Sequence, residues 1–252
     1  MPAGLCRLQW PRCAHPGAVF SIIAAAIFIS NDAWGAGAAY AVDTAEVSEI
    51  GSCKVESWVS LANNRDFFAA VAPACVMNLS RPVEVSLQLN RSRSDEEWTT
   101  GATPKLKTNL VPSEIGKWGL AAAAGGSFDL ITQENTGAFA YLPATLRLSE
   151  IARINLNAGW QWDRTVDRHY LLYGAGVDLR TADNVWTLTG EVFGLAGVAD
   201  SPGVTQARFQ LGLRFRPVDR FNIDVIYGRN LNGENANWIT LATVVRFPPP
   251  RR

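Results

Sequence analysis

The chain has 252 residues, of which 48% are hydrophobic and 18% charged, and its 23 basic residues balance its 23 acidic ones. This size and composition fit one or two globular domains and leave soluble and membrane proteins equally open. The balanced charge excludes the strongly basic surface that nucleic-acid binding requires.

The first residues have the pattern of a secretory signal peptide. Arg7 and Arg12 precede an uncharged apolar stretch, residues 18–29, which is 12 residues long. A membrane-spanning helix needs about 20 apolar residues, so this stretch is too short to cross a bilayer. Small residues follow it. Ala39-Tyr40-Ala41 has the form of a cleavage site, and Ala33-Trp34-Gly35 is an alternative site.

We therefore predict a cleaved signal peptide at residues 1–41, with an uncleaved membrane anchor as the alternative. Later apolar runs are all too short for a membrane helix, which excludes a polytopic helical membrane protein. Removal of Arg7, Arg12 and Asp32 with the signal peptide leaves 21 basic and 22 acidic residues. The mature chain therefore has no basic footprint for nucleic acid.

The four cysteines are divided evenly between the predicted signal peptide and the mature chain. Cys6 and Cys13 lie in the former, and Cys53 and Cys75 lie in the latter. An exported chain meets an oxidising compartment, where an even number of cysteines favours a disulfide. The turn-forming sequence at 63–66 lies midway between Cys53 and Cys75, so a hairpin folded about it places them opposite each other. Two unpaired buried thiols are the alternative.

Alternation of apolar and polar residues is the main signal of the mature chain. In segment 206–216, five apolar side chains point one way and six polar or small residues point the other. A helix would scatter those five side chains around its circumference and leave no apolar face. Twelve segments are predicted as strands: 54–62, 66–76, 82–91, 99–110, 117–129, 136–148, 152–163, 169–180, 185–195, 204–216, 221–230 and 238–247.

Several features favour a barrel in lipid over a soluble β-sandwich. Charges and amides occupy the middle of long strands, which suits a wet lumen better than a packed core. Short turns are expected to alternate with longer polar loops such as 92–98, if both termini lie in the periplasm. Aromatic residues cluster near segment ends, where interfacial girdles lie: Trp58, Trp98, Trp118, Trp160, Trp162, Tyr170, Trp186, Phe215, Phe221, Trp238 and Phe247.

These observations predict an all-β fold, a transmembrane antiparallel up-and-down β-barrel of about twelve strands, within a range of about 10 to 14. The barrel is expected to span residues 54–247, because a closed sheet leaves no unpaired edge in lipid. Residues 42–53 are predicted to form a short periplasmic N-terminal segment. Residues 248–252 form a tail of Pro and Arg.

Some of these residues also resemble a known family. The resemblance spans roughly residues 50–247 and rests on Gly51-Ser52-Cys53 with Glu56 and Trp58, Cys75, Trp186 with Glu191 and Phe193, residues 210–214, Asp224, residues 227–230, residues 238–241 and Arg246-Phe247. The chain resembles the proteobacterial outer-membrane proteins labelled with the meta-pathway of phenol degradation. The resemblance implies an outer-membrane barrel that passes small compounds, aromatic or apolar ones among them.

The last strand is similar to the signal that the barrel-insertion machinery reads, which implies Phe247 as the terminal aromatic residue of that signal. The sequence departs from the pattern at this point. Residues 248–252 follow Phe247, so the aromatic residue is not the last one of this chain.

The residues give no support to catalysis. His15 lies in the predicted signal peptide and His169 is the only other histidine. Barrel lipases use a serine that a histidine activates, but no serine is near His169 in the sequence, so an exposed histidine at a loop end is expected. Metal-ligand spacing, a phosphate-cradling glycine loop and a nucleophile elbow are all missing from the sequence. We predict no enzyme activity, no cofactor and no metal.

Five charged residues are expected to share the inner face of the last four strands: Glu191, Arg208, Arg214, Asp224 and Arg246. The functional hypothesis is a polar constriction that selects solutes. The alternative is a set of ion pairs that neutralise lumen charge, or a hydrated wall. Asp224 is expected opposite Arg246 or one diagonal step from it, and Arg214 is expected opposite Asn222 and diagonal to Asp224.

A barrel of twelve strands lies between eight-stranded barrels filled by side chains and the wide porins. Gly119, Ala121, Ala123 and Gly125 on one inner face are expected to leave room, which favours a pore. We predict a passive channel in the outer membrane of a Gram-negative bacterium, with membrane lipid and the barrel-assembly machinery as partners and an unknown solute. A filled-lumen structural protein, a lipid-acting barrel enzyme and a soluble periplasmic β-protein are the alternatives.

Overall fold

The computed structural model describes residues 39–94, 96–197 and 205–249. The predicted signal peptide therefore lies outside the described residues, apart from residues 39–41. The described part contains twelve β-strands: β1 (Cys53–Ala62), β2 (Phe67–Asn78), β3 (Pro82–Ser94), β4 (Glu97–Val111), β5 (Trp118–Asp129), β6 (Glu134–Arg147), β7 (Ala152–Asp163), β8 (Arg168–Arg180), β9 (Trp186–Gly197), β10 (Thr205–Val218), β11 (Phe221–Asn230) and β12 (Asn237–Phe247).

The strands form one closed antiparallel barrel in which neighbours in sequence are neighbours in space. The barrel closes between β1 and β12, where Cys53 lies opposite Phe247 and Ala62 lies opposite Trp238. The predicted fold class is confirmed, and the twelve strands agree with the predicted segments to within a few residues. No helix among the described residues is long and apolar enough to span a bilayer.

The period-two alternation separates an apolar outer face from a polar inner face. On β10, Leu211 and Leu213 are 47% and 46% exposed, whereas the intervening strand position Gln210 is 3% exposed. The same outward exposure holds on every side of the barrel, for example at Leu89, Leu106, Leu142, Leu171, Leu188, Val225 and Leu241. Large apolar side chains around a whole barrel are expected where lipid replaces water.

The predicted aromatic girdle is only partly correct. Trp98, Trp118, Trp160 and Trp186 are exposed on the outer face. The side chains of Trp58 and Tyr170 are buried on the inner face, and Trp238 packs over Gly228 on that face too. Position near a strand end does not fix the face, because the face depends on whether the residue number is odd or even in that strand.

The expected alternation of short turns and long loops is also not found. The end of the barrel at which β1 begins and β12 ends, here called the lower end, has the connections 79–81, 112–117, 148–151, 181–185 and 219–220. At the upper end, the connections that lie wholly within the described residues are 63–66, 130–133, 164–167 and 231–236. The predicted loop 92–98 is mostly strand, because Ser92 and Ser94 pair with Thr99 and Glu97. Polar composition alone had suggested a loop there.

The first hairpin confirms the predicted disulfide. Cys53 lies directly opposite Cys75 in the β1–β2 register. The two residues form a disulfide with a Cα–Cα distance of 4.1 Å. The bond joins the lower ends of β1 and β2 next to the barrel closure.

Substitutions on neighbouring residues of β10 test the two faces. We expect Leu211→Arg to destabilise the barrel in bilayers by about 2–4 kcal/mol, since it places a charge against acyl chains near the middle of the strand. Gln210→Arg is expected to cost much less, because residue 210 faces the carboxylate of Glu191. Urea unfolding of both variants in lipid vesicles measures the difference. Equal costs would contradict the assignment of the faces.

The disulfide has its own test. In unreduced protein, we expect the tryptic peptide that ends at Lys54 to be linked to peptide 66–91, since trypsin does not cleave between Arg81 and Pro82, and the mass of the linked pair should disappear on reduction. Replacing both cysteines by serine should lower the free energy of unfolding by about 3 kcal/mol, from the entropy of closing the loop, whose ends are 22 residues apart. Alkylation of both thiols in native, unreduced protein would rule the bond out.

Candidate functional site

The lumen contains part of the chain that precedes β1. Residues 39–46, here called the lumen segment, enter the barrel from the lower end. The side chains of Tyr40, Val42, Thr44 and Ala45 are between 0% and 6% exposed. The predicted signal cleavage site at 39–41 falls within the lumen segment. So do the first residues of the predicted periplasmic segment, residues 42–46, which lie inside the barrel because the wall offers them polar partners.

Small wall residues make room for the lumen segment. A Cβ atom at Gly174 would lie 2.9 Å from Val42 Cγ2. A Cβ atom at Gly212 would overlap the hydroxyl of Tyr40. The wall of the lumen is therefore shaped to the segment at these two glycines.

The small residues of β5 do not leave the open space expected from the sequence. A Cβ atom at Gly119 would lie 2.5 Å from Ser113 Cβ, and Ala121 and Ala123 are buried. Asn109, the cross-strand neighbour of Ala121, donates a hydrogen bond to the Ala45 carbonyl over 2.6 Å. Room that the sequence suggested for a solute is taken by the chain itself.

Asp43 is the main polar anchor of the lumen segment. Its Oδ1 atom accepts from Lys107 Nζ over 2.7 Å, and its Oδ2 atom accepts from Lys105 Nζ over 3.3 Å. The Tyr141 hydroxyl donates to Oδ2 over 3.0 Å. Burial alone would raise the pKa of the Asp43 carboxyl, but the two lysines outweigh it and hold that pKa well below its usual range. Asp43 is therefore ionised at neutral pH.

Further contacts hold the segment on both sides of Asp43. Towards β1, Glu46 pairs with Arg153 over 2.8 Å, and the Ala45 N–H donates to Thr145 Oγ1 over 2.8 Å. On the other side, the Ala41 N–H donates to Glu191 Oε2 over 3.0 Å. The segment thus spans the lumen, from β6 and β7 to β9.

Tyr40 continues this path towards β10 and β11. Its hydroxyl donates to Asp224 Oδ1 over 3.4 Å, and the Arg214 guanidinium lies 5.4 Å from the centre of its ring. The ring fills the space above Gly212. Tyr40 therefore joins the lumen segment to the charged residues predicted from the sequence.

Two of those predicted residues form an ion pair, and the lumen segment joins them to a third. Arg214 is directly opposite Asp224 in the β10–β11 register, and Arg214 Nε donates to Asp224 Oδ1 over 2.6 Å. Glu191 is buried and accepts from Gln210 over 2.7 Å. The expected pairing of Arg214 with Asn222 was wrong, because β10 extends to Val218, which pairs with Phe221, and the hairpin turns over residues 219–220.

The other two predicted residues lie apart from this group. Arg246 is opposite Lys54 at the lower end, and its Nη1 atom is buried with no hydrogen-bond partner among the described residues. Asp224 is opposite Ala242, so Arg246 is not the partner expected for it. Arg208 lies towards the upper end and is exposed. The five residues share the inner face but lie at different heights in the barrel.

The strongest charge cluster of the lumen was not singled out from the sequence. Lys54 pairs with Glu56 over 3.1 Å and with Glu84 over 3.3 Å. Glu84 lies opposite Lys107 in the β3–β4 register. The alternation of polar and apolar residues places Lys54, Glu56, Glu84 and Lys107 on the inner face. Asp43 lies outside the strands, so alternation does not predict its position.

A cavity of about 300 Å³ adjoins the lumen segment. Its charged lining consists of Asp43, Lys54, Glu56, Glu84 and Lys105, and Phe139, Tyr141 and Leu172 contribute apolar and aromatic surface. The cavity is the space in the lumen nearest to the Asp43 anchor. A small molecule there would contact both a charged group and an apolar wall.

His169 does not belong to the lumen. It stacks on Trp160 and Trp162 with ring centroids 5.6 and 6.4 Å apart, and it accepts a hydrogen bond from Trp160 Nε1 over 3.1 Å. Trp160 is exposed on the outer face. The histidine predicted at a loop end is thus part of an outer aromatic cluster. Within the described ranges, no group of three or more His, Cys, Asp or Glu residues could hold a metal ion.

Comparisons with known proteins agree with the fold. Residues 24–247 match the model of a family described as "Uncharacterised conserved protein UCP029691". No curated protein matches the sequence. The KdgM porin is similar in structure, with a TM-score of 0.60, 8% identity and coverage of 77% of this chain and 99% of that chain.

Two further solved structures are similar. The NanC porin has a TM-score of 0.60 and 6% identity, over 76% of this chain and 98% of that chain. An outer membrane channel from Pseudomonas putida F1 has a TM-score of 0.56 and 16% identity, over 81% of this chain and 98% of that chain. At these identities the likeness concerns the fold alone.

The fit between Tyr40 and Gly212 gives a test of the lumen segment. We expect Gly212→Leu to displace Tyr40 and to raise the hydrogen exchange of the amides in residues 39–46 at least tenfold, because the leucine occupies the same space. Gly190→Leu, on the outer face of neighbouring β9, is the matched control and should leave that exchange unchanged. Tyr40→Ala should act like Gly212→Leu. If the amides of residues 39–46 stay fully protected from exchange in both Gly212→Leu and Tyr40→Ala, the proposed fit between Tyr40 and Gly212 is wrong.

Proposed function

We propose that this chain, which belongs to the family described as uncharacterised conserved protein UCP029691, is a passive outer-membrane channel for small solutes. The observation that carries the proposal is the two-faced wall of a closed barrel, with large apolar side chains outside and charged and amide side chains inside. Such a wall suits lipid on its outer surface and a polar path on its inner surface.

The proposed location follows from the same wall and from the N-terminus. The predicted signal peptide would export the chain, with cleavage at the alternative site, residues 33–35, so that residues 39–46 remain in the mature protein, and the lower end would face the periplasm. Phe247 is the last residue of β12, lies opposite Cys53 and is exposed on the outer face. This position is compatible with its proposed role in the signal for the barrel-assembly machinery.

The solute is proposed from the resemblances. The structural neighbours bear the names of porins and of an outer membrane channel. The resemblance to proteins labelled with the meta-pathway of phenol degradation supports small aromatic or apolar compounds. Phe139, Tyr141 and Leu172 in the lumen cavity offer such compounds a matching surface.

The filled-lumen structural reading remains the second candidate, because the lumen segment occupies part of the path. Tyr40, Val42 and Ala45 are almost fully buried inside the barrel. Conduction therefore requires the segment to move or the solute to pass beside it.

Single-channel recording in planar bilayers separates the two candidates. Discrete conductance steps from the purified wild-type barrel would support the channel. Gly212→Leu should lengthen the open times, because it displaces Tyr40. If neither protein conducts, although both insert as folded barrels, the structural role replaces the channel.

The lumen charges give a prediction of ion preference. Arg208 and Arg246 lie on the inner face towards opposite ends, and local positive charge favours the entry of anions. We expect Arg208→Gln with Arg246→Gln to shift the reversal potential in a salt gradient towards cation preference. Arg229→Gln, near the upper end, is the control, since Arg229 is exposed on the outer face.

Arg214 is unsuitable for this test. Its removal would leave the buried carboxylate of Asp224 without its ion pair, and an uncompensated buried charge costs about 3–5 kcal/mol. An unchanged reversal potential in the Arg208 and Arg246 double variant would show that these arginines do not select ions.

A further inference from the structure

We propose that Lys105 and Lys107 form a binding site for the carboxylate of a small organic acid, and that Asp43 occupies this site as an internal stand-in for that acid. The inference rests on the proposed channel function and deepens it, because it names a class of solute. Displacement of Asp43 by the solute is the step that would free the upper part of the lumen segment.

The contacts of Asp43 are those of a built carboxylate site. Each carboxylate oxygen has its own ammonium group, with Lys107 Nζ 2.7 Å from Oδ1 and Lys105 Nζ 3.3 Å from Oδ2. The Tyr141 hydroxyl adds a third donor, 3.0 Å from Oδ2. Charge-assisted bonds to both oxygens of a planar group fix its orientation as well as its charge.

The donors lie on the wall, whereas the acceptor lies on the lumen segment. Lys105 and Lys107 are two residues apart on the inner face of β4, which pairs on both sides with β3 and β5. Tyr141 is on β6. The site would therefore keep its shape if the lumen segment moved away.

Only an anionic solute can replace the Asp43 carboxylate between the two lysines. The Lys107 side chain is 4% exposed, so removing Asp43 without a replacement would leave a buried ammonium group short of its acceptor. Breaking a buried ion pair in that way is strongly unfavourable. A solute that brings its own carboxylate avoids this cost, whereas a neutral solute does not.

The neighbouring cavity restricts the body of the acid. It measures about 300 Å³, and its charged lining consists of Asp43 and Lys105 together with Lys54 and its ion-pair partners Glu56 and Glu84. This volume is at the lower limit of small-molecule sites, which run from about 300 to 1,000 Å³. Phe139, Tyr141 and Leu172 line the same space. A single aromatic ring or a short aliphatic chain next to the carboxylate fits these properties.

The other contacts of the lumen segment indicate which of its residues would be released when a solute replaces Asp43. Glu46 on Arg153 and Ala45 on Thr145 hold the part of the segment nearer to β1. On the N-terminal side of Asp43, the Ala41 N–H donates a hydrogen bond to Glu191 and the Tyr40 hydroxyl donates one to Asp224. Loss of the Asp43 anchor leaves residues 39–43 with these weaker contacts, while residues 45 and 46 stay in place.

Equilibrium binding of benzoate to the full-length barrel in detergent, measured by calorimetry, tests the site. Benzyl alcohol is the neutral probe of similar shape. We expect benzoate, and not benzyl alcohol, to bind the wild-type protein. Asp43→Asn should tighten benzoate binding at least tenfold, because it removes the internal competitor and leaves both lysines in place.

The loss-of-site variant is made in the same background. Asp43→Asn with Lys105→Gln and Lys107→Gln leaves no unpaired carboxylate at residue 43, and it should lose benzoate binding. Asp43→Asn with Lys117→Gln is the matched control, since Lys117 is an exposed lysine paired with Glu114 outside the lumen. That control should bind benzoate as tightly as Asp43→Asn alone.

The outcomes separate this inference from the channel proposal. Benzoate binding that depends on Lys105 and Lys107, in a barrel that never conducts, would support the carboxylate site and reject the channel. Conductance without tighter benzoate binding in Asp43→Asn would support the channel and overturn the site. Equal competition by chloride at the same concentration, or equal binding of benzyl alcohol, would also overturn the carboxylate assignment.

Discussion

Closure of the sheet is the constraint on which the other features of the molecule depend. Because β1 pairs with both β2 and β12, each strand has two neighbours and no edge is left open. A closed ladder fixes the register, and a slip of one residue would exchange the inner and outer faces of a strand. The Cys53–Cys75 bond joins β1 and β2 beside the closing pair of Cys53 and Phe247. Covalent and hydrogen-bonded constraints therefore meet at the lower end.

A barrel of this size must also satisfy the charges that its inner face carries. Within the wall, Lys54 has Glu56 and Glu84, and Arg153 has Asp178. The chain before β1 supplies further carboxylates, Asp43 for Lys105 and Lys107 and Glu46 for Arg153. Because buried charges are costly unless they are paired, the lumen segment is part of the electrostatic balance of the barrel rather than a passive leader.

The sequence predicts what depends on neighbouring residues and misses what depends on distant ones. Alternation along β10 or β12 is local, so the strands, their faces and the Cys53–Cys75 hairpin could be derived. Contacts of the lumen segment join residues 62 to 184 positions apart, and no periodicity records them. The small residues on β5 do indicate space inside the barrel, but their size does not show whether a solute or the chain fills that space.

Asp43 is tied to the wall by Ala45 and Glu46, two and three residues further along the chain, through their contacts with Thr145 and Arg153. A ligand held on so short a tether acts at an effective concentration in about the millimolar range. A free molecule that binds Lys105 and Lys107 therefore competes with Asp43 at this effective concentration. The length of the tether would therefore set a threshold: traces of solute leave the segment in place, whereas an abundant solute displaces it. Loss of the contacts of Ala45 and Glu46 would lengthen the tether and lower the threshold.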